Sequence, residues 1–155
     1  MTYRIEGLSP APFAALFAMG DDELARRNAK RVTATASRGF PCRVSLEDAR
    51  EGEKLILVNH VSHDVATPYR SAYAIYVRES AEAAAEYVDE TPPVFEGRPL
   101  GLRGFDAGGM LKAALLALPG EADAKIRELF ANDEIATIHA HNAAHGCFAA
   151  RIERN

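Results

Sequence analysis

Residues 136–152 read ATIHAHNAAHGCFAARI, which puts His139, His141, His145 and Cys147 inside nine residues. The protein's other two histidines, His60 and His63, fall in NHVSHD at residues 59–64. Three chemistries suit these residue types. An H-x-H pair on a strand sets two imidazoles on one face, roughly 6.6 Å apart along the backbone. His139 and His141 would then be metal ligands, with zinc the natural ion, once Cys147, His60, His63 or Asp64 supplied a third. No C-x-x-C or H-E-x-x-H spacing accompanies them, so the pattern matches no closed zinc motif. A thiol mechanism would use Cys42, which stands beside Arg43, or Cys147 near His141, because a cation or imidazole favours the reactive thiolate.

The third chemistry is anion binding. P-C-R and P-Y-R each set an arginine just after a proline-stiffened turn. A guanidinium grips carboxylate or phosphate through a two-pronged fork. The expected pocket is edged by Arg43, Arg70, His139, His141, Cys147 and Arg151, with Tyr69 and Tyr73 as an apolar wall. The competing reading pairs each arginine with a nearby acid such as Glu47, Asp48 or Asp64.

For these groups to meet, the last two strands must pair in one register. Side chains alternate along a strand, so Thr137, His139 and His141 share a face opposite Ala136, Ile138 and Ala140. A five-residue loop, NAAHG, lets Gly146 take a positive φ. Symmetric closure sets His141 across from Cys147 and His139 across from Ala149. Phe148, Ala150 and Ile152 then join the apolar core, and Cys147 and Arg151 join the histidines. A slip of one residue would break this grouping.

Elsewhere the periodicity predicts strands at residues 3–6, 30–35, 54–61, 74–79, 99–105 and 110–118. It predicts short helices at 12–19 and from Asp21, an alanine-rich helix over 80–88, and the clearest helix at 121–131. Strands outnumber helices and their connections are mixed. The expected class is α+β, one domain over residues 1–155 with a mainly antiparallel sheet.

FPCRVSLEDAREGE, PYRSAYAIYVRE, RPLGLRGFDAGGM and IHAHNAAHGCFAARI occur in that order from about residue 40 onward. Together they resemble an uncharacterised bacterial family known only as a domain of unknown function. The resemblance falls on Cys42, Arg43, Pro68, Tyr69, Arg70, His139, Asn142, Gly146 and Cys147. It implies a single-domain bacterial protein and assigns no reaction, cofactor or catalytic residue.

Composition removes several classes. A formal charge of −4 gives no broad basic surface for nucleic acid. The apolar run at 11–19 is too short to cross a bilayer, so no membrane role is expected. Two cysteines 105 positions apart do not form a disulfide framework, and a reducing cytoplasm is the simplest compartment. The expectations carried forward are a cytoplasmic binder of a small anionic molecule, a metal-dependent hydrolase-like enzyme built on His139 and His141, and a structural or partner-binding protein. Whether the chain is an enzyme stays open, as does a homodimer formed through exposed sheet edges.

Overall fold

A computed structural model describes residues 1–155. It contains two antiparallel sheets and three short helices, an α+β arrangement. The larger sheet is built from β1 (Tyr3–Glu6), β5 (Glu86–Val88), β6 (Leu100–Phe105), β7 (Leu111–Ala117), β8 (Thr137–Asn142) and β9 (Phe148–Arg154). Its strand order is β5-β1-β9-β8-β6-β7. The smaller sheet has order β2-β3-β4, from β2 (Ala29–Thr33), β3 (Lys54–His63) and β4 (Ser71–Arg78). The expected single sheet is thus divided in two, and the segments between β2 and β3 and between β4 and β6 bridge the halves.

Each face of the larger sheet has its own surroundings. Ile138, Ala140, Ala150 and Ile152 point to one side, with Leu100 and Leu102 from β6. There they meet Ile126, Leu129 and Phe130 of helix α3 (Ala122–Phe130). That helix forms where predicted because its apolar residues recur on one stripe. The opposite face looks toward the smaller sheet. Ile56, Val58, Ile75 and Val77 of that sheet join Phe13 of α1 (Ala11–Ala14) and Leu24 of α2 (Asp21–Arg26) in a second apolar cluster. Acids in the first turn of α2, Asp21, Asp22 and Glu23, complement its dipole as expected.

The helix expected over residues 80–88 is not formed. Residues 79–85 run as turn and irregular chain, and 86–88 become the edge strand β5. Alanine content favours a helix only weakly. Here Gly7 N–H donates to the Ala85 carbonyl at 2.8 Å and Ala85 N–H donates to the Val44 carbonyl at 2.9 Å. Pairing of Ile5 with Tyr87 then extends the sheet. These long-range backbone bonds outweigh local propensity. No helix is long and apolar enough to cross a membrane.

Candidate functional site

The hairpin β8–β9 carries the clustered histidines, but its register departs from symmetric closure. His139 faces Arg151 and Ala140 faces Ala150, while His141 faces Phe148. Ala149 is therefore the extra residue of a β-bulge, which changes the phase of side chains on the strand that carries it. Phe148 moves from the expected helix-side core to the histidine side. Its ring lies 5.4 Å from that of His139, 6.0 Å from His141 and 6.5 Å from His60. Cys147, displaced from its expected place opposite His141, turns toward Arg43.

His139 is 1% exposed. The rings of His63, Phe105 and Phe148 surround it at 4.9, 5.1 and 5.4 Å. Its Nε2 is buried with no hydrogen-bond partner. Burial, reinforced by the charges of His63, His141, Arg151 and Arg103, lowers its pKa to about 3, so the ring is neutral. In His141, Nδ1 lies 2.9 Å from the Gly146 carbonyl. A carbonyl only accepts, so the proton sits on Nδ1 and the buried Nε2 keeps an unpartnered lone pair. Burial also lowers the His141 pKa, against the opposing effect of the Gly146 bond. His63 donates through Nε2 to the Gly109 carbonyl at 3.0 Å. Phe13 and Phe148 flank His60, whose pKa burial lowers.

These rings form an aromatic seam between the sheets. The His139 and His141 rings are near-parallel, with centroids 6.5 Å apart and planes inclined at 27°. No three His, Cys, Asp or Glu side chains converge as metal ligands would.

Arg43 and Cys147 meet at the edge of the seam. Arg43 is 2% exposed. Its Nε donates to the Phe148 carbonyl at 2.8 Å, Nη1 to the Pro41 carbonyl at 2.6 Å, and Nη2 to Cys147 Sγ at 3.1 Å. Asn142 Nδ2 donates to the same sulfur at 3.4 Å. No carboxylate balances Arg43. Burial lowers its pKa, and the thiols of Cys147 and Cys42 act in the opposite direction. Cys42 itself is buried, and its sulfur accepts the backbone N–H groups of Val44, Ser45 and Arg78. That is a structural role, and both thiols are free.

Arg43 and Cys147 line a cavity of about 600 Å³ between the hairpin loop and the smaller sheet. Arg38 and Arg98 line it too, with Tyr73, Tyr76 and Leu57 as apolar wall. No acidic residue lines it. Arg98 is neutralised by a two-pronged contact with Asp48, at 2.9 and 2.7 Å. Burial raises the Asp48 pKa, but the Arg98 bonds and charge outweigh it and hold the carboxyl below its ordinary range. Arg38 spends one N–H on the Glu96 carbonyl at 2.9 Å.

The remaining expected residues lie elsewhere. Arg70 is exposed and pairs with Asp64 at 3.0 Å. Arg151 is exposed, pairs with Glu153, and borders a different groove with Arg4 and Glu6. His145 is exposed on the cavity rim, whereas His139 and His141 do not line the cavity. Arg38, Arg98 and Tyr76 were missed. Arg98 opens the RPLG word, a usable signal; Arg38 sits in a loop with none.

A family model described as "Protein of unknown function (DUF1203)" matches residues 39–154. No curated protein and no solved structure matches the chain.

Proposed function

We propose, from the premise that this chain belongs to the DUF1203 family and inherits no assigned reaction from it, that its cavity binds a small anionic molecule. The observation that carries this reading is a cavity lined by three arginines and no acid, of which Arg98 alone has a carboxylate partner, in a chain whose formal charge is −4. A buried cation without a counter-charge is costly. Arg43 keeps that cost low only in part, because carbonyls and a sulfur do not neutralise it. An anion entering the cavity would supply the missing charge, and guanidinium donors left over after the three bonds of Arg43 would hold it. Tyrosine and leucine walls beside a few polar anchors are what small-molecule sites share. A reducing cytoplasm suits the two free cysteines.

Thermal unfolding tests the reading. Inorganic phosphate and small dicarboxylates, titrated at constant ionic strength, should raise the Tm. At tenfold over Kd the added stability is about 1.4 kcal/mol. The ligand-induced rise should vanish in Arg43→Met and shrink in Arg38→Ala, each compared with its own ligand-free Tm. An equal rise with chloride, or one unchanged in both variants, rejects the cavity as an anion site.

A further inference from the structure

We infer that Cys147 is a nucleophile, and that the cavity presents to its sulfur a small anionic molecule bearing an electrophilic carbon. The choice of an anionic electrophile rests on the anion-binding reading of the same cavity; the reactivity of the sulfur does not. The inference starts from the two cysteines, which receive opposite treatment. Cys42 Sγ is sealed in the interior under three backbone N–H groups. Cys147 is partly exposed and lines the cavity.

The Cys147 sulfur is also the one atom able to take up negative charge that Arg43 touches, at 3.1 Å. The guanidinium is pinned on its other nitrogens by the Pro41 and Phe148 carbonyls, so it cannot swing away to water. Asn142 adds a second donor at 3.4 Å. Two fixed N–H donors hold this sulfur at the cavity wall, where it can reach the carbon of a bound molecule. The geometry of the loop delivers this arrangement. Asn142 N–H bonds the Cys147 carbonyl at 3.0 Å and Gly146 N–H bonds the Asn142 carbonyl at 2.7 Å, which holds both side chains at one end of the hairpin.

The step balances simply. The thiol proton passes to solvent at the cavity mouth, and the sulfur pair forms an S–C bond to the substrate carbon. The bond from that carbon to its leaving group breaks, and the leaving group departs with the bonding pair. Arg43 and Asn142 are positioning residues that hold the sulfur, while the Arg43 N–H groups left over from its three bonds, together with Arg38, meet the anionic part of the molecule.

Alkylation of the full chain by iodoacetamide and by iodoacetate, followed by peptide mass spectrometry, tests this. In both reagents iodide is the leaving group. Cys147 should react with iodoacetamide at pH 7 at least about tenfold faster than a free-cysteine peptide. Cys42 should stay unmodified and reports that the fold is intact. The Cys147 rate should fall at least about tenfold in Arg43→Met and severalfold in Asn142→Ala. A Cys147 rate no faster than the peptide overturns the proposal. So does a fast rate unaffected in both variants while Cys42 remains protected. If Arg43→Met exposes Cys42, Asn142→Ala alone decides. The two reagents separate the readings. A ratio of iodoacetate to iodoacetamide rates above that of the peptide supports both nucleophile and anion site. A fast iodoacetamide reaction without that preference keeps the nucleophile and rejects the anionic substrate.

Discussion

Lowering the pH from 7.5 to 5 will cost the folded protein about 2 kcal/mol through His139 alone. The ring's ordinary pKa is 6.5 and its folded value is about 3. Above 6.5 the ring is neutral whether folded or unfolded, and its burial costs nothing in protonation. As pH falls below 6.5 the unfolded chain takes up a proton that the folded chain refuses. Stability from this group is therefore fully present above 6.5 and is lost progressively down to about 3. No carboxylate faces the ring to soften the effect. Its charged and titratable neighbours are His63, His141, Arg151 and Arg103, all of them cationic when protonated. His141 and His60, also lowered by burial, act in the same direction. Urea midpoints at the two pH values measure the loss. In His139→Phe, which keeps an aromatic ring among Phe105, Phe148 and His63, the pH-dependent loss should shrink by about 2 kcal/mol. An identical loss in that variant would mean the acid sensitivity comes from another group.

Replacing Gly7 with alanine will destabilise the protein by about 3 kcal/mol or more. A Cβ there would stand 2.0 Å from the Val44 carbonyl oxygen and 3.2 Å from the Ala85 nitrogen. Those two atoms belong to one hydrogen bond, Ala85 N–H to Val44 carbonyl, so backbone rather than a pliable side chain must move. The next residue, Leu8, donates to the Arg43 carbonyl at 2.7 Å. Displacement at Gly7 thus reaches the buried guanidinium, and the phosphate-induced rise in Tm should weaken along with the urea midpoint. Gly101→Ala is the matched control. Nothing lies within 4 Å of its added Cβ and its φ is not positive, so it should gain about 0.4–1 kcal/mol from the lost freedom of the unfolded chain rather than lose stability. Equal urea midpoints for Gly7→Ala and the parent protein would show that the strand end is not held as tightly as its contacts imply.

The parts of this architecture that follow from short-range periodicity were legible in the residues themselves. The stripe of Ile126, Leu129 and Phe130 announces α3, and the apolar run from Leu55 to Val58 announces a strand covered on both faces. His139 and His141 share a face because two-residue alternation requires it. Alternation could not place Phe148, since the bulge at Ala149 resets its phase and nothing local marks the extra residue. Tertiary bonds from Gly7 and Val44 decide residues 80–88, and those partners are remote in sequence. The cavity was legible in Arg43, Tyr73 and Cys147, signalled for Arg98 only by the RPLG word, and illegible in Arg38 and Tyr76, which arrive from separate segments. Arg70 and Arg151 were plausible by residue type, yet Asp64 and Glu153 take them up at the surface.

Arg43 lies outside every strand of either sheet, yet it touches both. Its backbone N–H bonds the Tyr76 carbonyl of β4, and its Nε bonds the Phe148 carbonyl where β9 begins. The side chain is in effect a rivet through two plates. A molecule that clamps the guanidinium from the cavity would tighten the rivet and resist shear between the plates. Occupancy should therefore be audible far from the mouth, as slower amide exchange in strands that no ligand reaches.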